Sequence, residues 1–416
     1  MEKMKMEEIF IEKITINEVR NLKGFEIPLD KNVKKNLIIT GKNGSGKTTL
    51  LREMKLFLNT FSNGNLQLYE NFIITLANFQ SQKETLNIPE SQLVLIDTDI
   101  KNVQNVLKQF GGTSVKFNQP ILASNKFKSG EFIVAFFEAK RNSALKTPTG
   151  INKIDLKPIY NIDEKAGHEF IQYIVNLKAD RSFAKDDNDL SNASKIDEWF
   201  KNFEESLFKL FDSSEVKLQF DRKSYNFNII EKGKEPYNLN QLSDGFSAIL
   251  SIVTELIMRM EEHRSKSYDV QGIVLIDEIE THLHIDLQKK VLPFLTAFFP
   301  KIQFIVTTHS PFVLNSIENA VICDLEKKIV TTDLSGYSYD TLIESYFNSD
   351  KYSSILKTQL KEYENLMSIE NLDDSQKEKL YELKHYLNEI PKFLSDELAV
   401  KIQQIRLKNL KKATLG

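Results

Sequence analysis

The stretch Gly41-Lys42-Asn43-Gly44-Ser45-Gly46-Lys47-Thr48-Thr49 has the residue types and spacing to grip a phosphate chain. It fits the Walker A pattern, Gly-x4-Gly-Lys-Thr, in which glycines let backbone N–H groups turn inward on phosphate oxygens at a helix N-terminus. Lys42, Asn43, Gly44, Ser45, Gly46, Lys47, Thr48 and Thr49 are therefore the candidate nucleotide-binding residues. Lys47 would neutralise the β- and γ-phosphates, and the Thr48 hydroxyl would hold Mg2+. Far downstream, Asp277-Glu278 closes the apolar run Gly272-Ile273-Val274-Leu275-Ile276. Asp277 would supply the carboxylate that such a cation needs across the sheet. Glu278 would point toward the γ-phosphate and polarise the attacking water as general base.

Strand ends and helix starts must deliver these groups. Asn36 to Thr40 is a short buried-strand run entering the glycine loop, and Leu50 to Phe57 leaves it with helical apolar spacing. An opening hairpin is expected from Ile9–Ile16 through Asn21-Leu22-Lys23-Gly24 to Phe25–Leu29. Phe246, Ile249, Leu250, Val253, Leu256, Ile257 and Met260 form one apolar helix face. A second strand-to-polar junction runs from Gln303-Phe304-Ile305-Val306 into Thr307-Thr308-His309-Ser310-Pro311, and continuous apolar runs of this kind suit parallel strands buried on both faces. Between about 60 and 240 the readable elements are strands at Leu93–Ile96 and Phe132–Phe137 and a helix carrying Trp199, Phe200, Phe203, Leu207 and Leu210. Two more strands, within Val216–Ile230, flank Asp221-Arg222-Lys223-Ser224. After Tyr337 the chain becomes charged and helical, with Leu380, Leu383, Leu387 and Ile390 along one side and Asp373-Asp374-Ser375 as a helix start.

The composition agrees with a large globular α/β chain of 416 residues. A net charge of −3 excludes an overall basic field for coating nucleic acid. With Cys323 as the single cysteine and no apolar stretch long enough to span a bilayer, the expected location is cytoplasmic and the expected membrane contact none. Glycine is scarce, at 15 residues, so clusters of it carry meaning; Gly111-Gly112 is a pair with no evident purpose.

Leu242-Ser243-Asp244-Gly245-Phe246, standing before the long helix and ahead of Asp277, resembles the LSGGQ signature of the ABC ATPase superfamily. It departs from that signature at Asp244 and Phe246 and keeps Ser243 and Gly245. The resemblance implies an ABC-type P-loop ATPase core, a mixed sheet with flanking helices, joined to a helical insertion or signature lobe and a helical C-terminal region. It also implies hydrolysis of ATP with Mg2+, and a head-to-tail homodimer in which Ser243 and Gly245 reach the partner's γ-phosphate. His309 matches the family's switch histidine, and Glu280-Thr281-His282-Leu283-His284 lies where its D-loop crosses the dimer interface. His282, His284 and Asp286 have a metal site as their alternative reading. Gln80, Gln82 and the stretch Phe136–Arg141 are the candidates for the glutamine loop. Arg20 is either a phosphate-approaching arginine of the SMC and RecF branch or a solvent-facing turn residue.

The wording Leu-Ile-Asp-Glu-Ile-Glu-Thr-His-Leu-His at 275–284 and Val-Thr-Thr-His-Ser-Pro-Phe at 306–312 looks like the RecF/SMC-related, AAA-labelled group. That group includes the OLD nucleases and the PtuA component of Septu and retron antiphage systems. Leu334-Ser335-Gly336-Tyr337-Ser338-Tyr339 looks PtuA-like as well. The implied organisation is a core at 1–335 with an insertion at about 60–240, followed by a helical accessory or partner-binding region at 336–416. The implied function is a dimeric or higher homo-oligomeric ATP-gated scaffold for a partner, an HNH-type nuclease or retron components. A RecF-like repair ATPase clamping DNA is the alternative, its tail residues Lys401, Arg406, Lys408, Lys411 and Lys412 contacting DNA or RNA. A transporter subunit is disfavoured for want of membrane-coupling features, and true SMC proteins for want of sustained heptads. Asp97 and Asp99, read as a strand-end pair after Val94-Leu95-Ile96, are the one carboxylate pair that suggests an intrinsic nuclease.

Overall fold

The computed structural model describes residues 8–84, 89–141, 145–211, 216–262, 269–332, 334–338, 341–342, 354–369, 372–389 and 403. Tyr339, Ile390, Lys401, Arg406, Lys408, Lys411 and Lys412 lie outside the described residues. The chain divides into two compact units, Met1–Tyr337 and Ser338–Gly416.

The strands of the first unit are β1 (Ile11–Val19), β2 (Leu22–Pro28), β3 (Asn36–Thr40), β4 (Thr113–Phe117), β5 (Phe132–Phe137) and β6 (Lys217–Asp221). They continue with β7 (Asn226–Ile230), β8 (Tyr237–Asn238), β9 (Gln271–Ile276), β10 (Ile302–Thr307), β11 (Ala320–Asp324) and β12 (Ile329–Thr332). Its helices are α1 (Lys47–Ser62), α2 (Leu66–Lys83), α3 (Glu90–Leu107), α4 (Pro120–Lys128), α5 (Phe170–Asp186), α6 (Leu190–Phe211), α7 (Asp244–Met260), α8 (Ile285–Phe298) and the short α9 (Pro311–Leu314).

A six-stranded sheet in the order β12-β11-β3-β10-β9-β5 is parallel except at its β12 edge. β3, β5, β9 and β10 are buried at every position, which is why their sequences read as unbroken apolar runs instead of alternating ones. The opening hairpin forms as expected and joins β4 in a second sheet, β2-β1-β4. Two buried glutamines of the large sheet fasten β1 to it. Gln271 Oε1 accepts from Ile9 N at 2.8 Å, while Gln303 accepts from Ile11 N at 2.7 Å and donates to Ile11 O at 3.1 Å. Burying these amides is tolerable because each finds backbone partners.

The insertion contains a helical hairpin, α2 and α3, then β4, α4 and β5. Beyond β5 come α5 and α6, with Trp199, Phe200, Phe203, Leu207 and Leu210 all buried, and the small sheet β6-β7-β8. One strand expectation fails: Leu93–Ile96 lies inside α3. Leu93, Ile96, Ile100, Val103 and Leu107 turn inward at helical spacing, while Val94 and Leu95 are exposed; the longer period prevails over the short apolar run. Asp97 and Asp99 are consequently mid-helix, not at a strand end. Asp97 pairs with Lys83 of α2 at 2.6 Å, and residues two apart on a helix do not share a face.

In the second unit α10 (Ser354–Met367) and α11 (Asp374–Glu389) enclose Leu360, Tyr363, Leu383 and Leu387. Asp373 and Gln376 exchange side chain-to-backbone bonds at 2.8 and 3.0 Å, a capping box at the helix start read from sequence. Among the described residues no helix is long and apolar enough to cross a membrane.

The glycine pair before β4 also finds its purpose. Gly112 O accepts from Asn17 N and Glu18 N, its N–H donates to Glu53 Oε2 of α1, and a Cβ there would stand 2.1 Å from Glu18 O. Gly112→Ala must push two backbone segments apart. It is expected to destabilise the first unit by about 2 kcal/mol in urea unfolding with an unchanged m-value, an overpacking cost; a loss below about 0.5 kcal/mol would contradict this packing.

Candidate active site at the ends of the parallel strands

β3 ends at Thr40 and the chain turns through the glycine loop into α1. Gly41, Gly44 and Gly46 all take positive φ (137°, 83° and 101°), the region glycine enters without a Cβ clash. The Lys47 ammonium lies against its own loop, donating to Gly41 O at 2.8 Å and Lys42 O at 3.0 Å. Burial lowers its pKa, opposed by the charges of Glu278, Glu280, Asp277 and Asp324. Lys42 pairs with Glu326 at 2.7 Å on the exposed rim. Leu22, the first residue of β2, approaches Gly46, and Arg20 in the β1–β2 turn is exposed with φ 51°.

The parallel register β9–β10, pairing Ile276 with Val306, brings the ends of both strands together. Asp277 is buried. Its Oδ1 accepts from the Thr307 hydroxyl at 2.7 Å and from the Thr48 hydroxyl at 3.2 Å, so the glycine loop and the acidic strand end, far apart in sequence, do converge. Thr307 Oγ1 in turn accepts from Glu278 N at 2.7 Å. Glu278 adopts φ 44°, rare for a side chain of its size, and its Oε2 accepts from the Thr281 hydroxyl at 3.3 Å. His309 N donates to Glu280 Oε1 at 2.5 Å. The Thr48 hydroxyl and Asp277 carboxylate form an oxygen donor set suited to Mg2+. Ser45 Oγ, buried in the loop and without a hydrogen-bond partner among the described residues, is a polar atom that a phosphate ligand would satisfy. The residues present therefore fit a magnesium nucleotide.

Three contributors are not legible as such in the sequence. Thr307 belongs to the strand-end motif, but its hydroxyl gains a role only once the register sets it beside Asp277. Thr281 clamps Glu278. Arg141, part of the Phe136–Arg141 stretch, is buried, and its guanidinium reaches the carbonyls of Asp277, Glu278 and Ile279. Gln80 and Gln82, by contrast, lie at the exposed end of α2, whereas Phe136–Arg141 runs out of β5 beside β9.

At the head of α7 the loop Leu242–Phe246, which resembles the ABC signature, divides by exposure. Ser243 and Asp244 face outward, and the Ser243 hydroxyl, at the N-cap position, caps no N–H of its own helix. Gly245 is buried; a Cβ on it would meet His282 O at 2.9 Å, and Phe246 stacks on Phe211 at 4.3 Å. His284 and Asp286 are both exposed, 3.8 Å apart, and among the described residues no group of three or more His, Cys, Asp or Glu could hold a metal ion.

A family model described as AAA domain, putative AbiEii toxin, Type IV TA system matches residues 169–315, which include Ser243, Asp277, Glu278 and His309 and begin beyond the glycine loop. The Septu protein PtuA of Bacillus mycoides (strain KBAB4) is 26% identical over 418 residues, covering 94% of this chain and 52% of the relative. The retron Ec83 probable ATPase of Escherichia coli is 34% identical over 164 residues, 36% of this chain and 30% of the relative. The retron Vc95 probable ATPase of Vibrio cholerae serotype O1 biovar El Tor is 24% identical, covering 70% of this chain and 68% of the relative. The chain thus spans about half the length of the PtuA relative and under a third of the Ec83 one. A solved SMC head bound to the C-winged helix domain of ScpA aligns over 78% of this chain and 99% of that one, at 13% identity and TM-score 0.39. The chain is similar to the Septu protein PtuA and to the retron probable ATPases, and its core is a mixed α/β fold built around a six-stranded, mainly parallel sheet.

Burial pushes the His309 imidazole below the ordinary histidine value of 6.5 and the Lys47 charge pushes it further, against the opposing pull of Glu280, Glu278 and Asp277. The fold therefore favours neutral His309. Below 6.5 the unfolded chain holds the extra proton, so this residue's contribution to stability is intact above that pH and is lost as pH falls through the lowered folded value. Lys47→Met should move the His309 midpoint upward in an NMR imidazole titration; an unchanged midpoint would show that the two groups are not coupled.

Proposed function

We propose that this chain binds and hydrolyses ATP, closing head-to-tail with a second copy around two nucleotides, and that the closed dimer is the regulatory scaffold of a partner nuclease in antiphage defence. One observation carries the catalytic reading: the buried Asp277 carboxylate receives the hydroxyls of Thr48 and Thr307, and Thr307 holds the backbone of Glu278 beside it. The defence reading is supported by similarity to PtuA along 94% of the chain and to two retron ATPases.

Mg2+, held by Thr48 and Asp277, would neutralise charge on the β- and γ-phosphate oxygens. Lys47 exchanges its carbonyl partners for phosphate oxygens, and the loop N–H groups orient the polyphosphate. Glu278 takes the proton of the attacking water. A neutral His309 donates an N–H to the γ-phosphate without adding a positive charge next to Lys47. From the second copy, the exposed Ser243 hydroxyl and the first N–H groups of α7, including that of Gly245, close on the same phosphate. ATP therefore contacts both copies only in the closed state, which is the differential affinity a switch requires.

Glu278→Gln should lower turnover by at least about 100-fold, the usual worth of a general base, while ATP produces a lasting dimer in light scattering. Lys47→Ala should form no such dimer. Normal hydrolysis by Glu278→Gln would overturn the mechanism. Recovery of an HNH-type nuclease or retron components with the tagged chain from its host would support the defence role; steeply salt-dependent DNA binding by the purified chain alone would instead mark a DNA clamp.

A further inference from the structure

Arg141 is a buried cation beside the site, and among the described residues its guanidinium donates to carbonyls and not to a carboxylate. Its Nη1 donates to Glu138 O at 2.9 Å and Asp277 O at 2.6 Å; its Nη2 donates to Glu278 O at 3.0 Å and Ile279 O at 3.2 Å. Three of these carbonyls belong to consecutive residues of the turn that follows β9. Burial lowers the Arg141 pKa from 12.5 to about 10, offset by the charges of Glu280, Asp277 and Glu278, so it remains a cation at neutral pH.

The turn it grips needs holding. Glu278 sits at φ 44°, a conformation that costs on the order of 1–3 kcal/mol unless the surroundings impose it. From one side Thr307 fixes the Glu278 N–H; from the other Arg141 fixes its carbonyl. Only a planar fork with donors on two separate nitrogens can span three consecutive carbonyls, a geometry that an ammonium cannot reproduce. Four residues further along, Leu145 and Asn240 bond reciprocally, Leu145 N to Asn240 Oδ1 at 3.2 Å and Asn240 Nδ2 to Leu145 O at 3.0 Å. Asn240 lies three residues before Ser243, so the segment leaving β5 is anchored at one point to the catalytic turn and at another to the approach to the signature loop.

We infer that Arg141 is a positioning residue for hydrolysis: it touches no reacting atom and acts by holding the backbone of Asp277–Ile279, and hence the Glu278 carboxylate, in the geometry that activates water. The inference rests on the proposed role of Glu278. A side chain displaced by about 1 Å costs on the order of 100-fold in rate while leaving substrate binding intact.

The test compares wild type, Arg141→Lys and Arg141→Gln, measuring ATPase kcat and KM, affinity for a fluorescent ATP analogue with Mg2+, and thermal unfolding. The expected result is a kcat reduced about 100-fold in Arg141→Gln and still at least about tenfold in Arg141→Lys, with analogue affinity within about threefold of wild type in both. Should Arg141→Gln fail to fold, Arg141→Lys decides alone, its kcat falling while affinity holds. Unchanged kcat, or kcat and affinity falling in parallel, overturns the positioning role. Wild type that hydrolyses no ATP would instead remove the catalytic reading on which it stands, an outcome separate from active wild type with unimpaired variants.

Discussion

The site depends on one oxygen. Asp277 Oδ1 accepts hydroxyl protons from Thr48, at the start of α1, and Thr307, at the end of β10, while its own backbone belongs to the exit of β9. Three elements distant in sequence are thereby tied at a single buried carboxylate. A buried charge is costly unless it is hydrogen-bonded and balanced, and bonds to a charged acceptor are worth about 1.5–3 kcal/mol each. Here both conditions hold: the hydroxyls supply the bonds, and Lys47 and Arg141 supply positive charge from different parts of the chain.

That arrangement also explains the electrostatic character of the site. Lys47 feels Glu278, Glu280, Asp277 and Asp324 together, and a polyphosphate brought into such a field would add negative charge to negative charge. A hard divalent cation held by the Thr48 and Asp277 oxygens would resolve the conflict, a physical reason for acidic residues to stand so close to a loop suited to gripping phosphate. His309 follows the same logic. Burial and Lys47 keep it neutral, so it can sit near the lysine without repelling it.

The glycine loop, the buried strands and the amphipathic α6 and α7 are legible in the sequence because each is specified locally, by φ demands or by the period of apolar residues. Elements specified by contacts between distant segments are not. Leu93–Ile96 reads as a strand in isolation and as a helix over eighteen residues. Gly111-Gly112 is opaque until β1 and α1 are seen pressing on it, and Thr307 is a plain strand residue until parallel pairing sets it beside Asp277. Arg141 shows the limit most clearly. Its place after an apolar strand marks the stretch as a loop candidate, yet nothing in Phe136–Arg141 reveals that the guanidinium folds onto carbonyls more than 130 residues away.

The loop Leu242–Phe246 at the head of α7 has an inward and an outward side. Gly245 is the residue that lets α7 approach the backbone at His282, and that contact lies within a single chain. Ser243 and Asp244, immediately before it, face outward, with a serine hydroxyl at an N-cap that serves no N–H of its own helix. A capping serine normally satisfies one of the free N–H groups at the helix start. An exposed helix N-terminus whose first N–H groups are not capped by that hydroxyl is a surface that favours an anion. The small residue inward and the polar residue outward thus have separate physical roles. Gly245 sets the spacing between α7 and the backbone at His282, while Ser243 and Asp244 present the polar end of the helix to the outside.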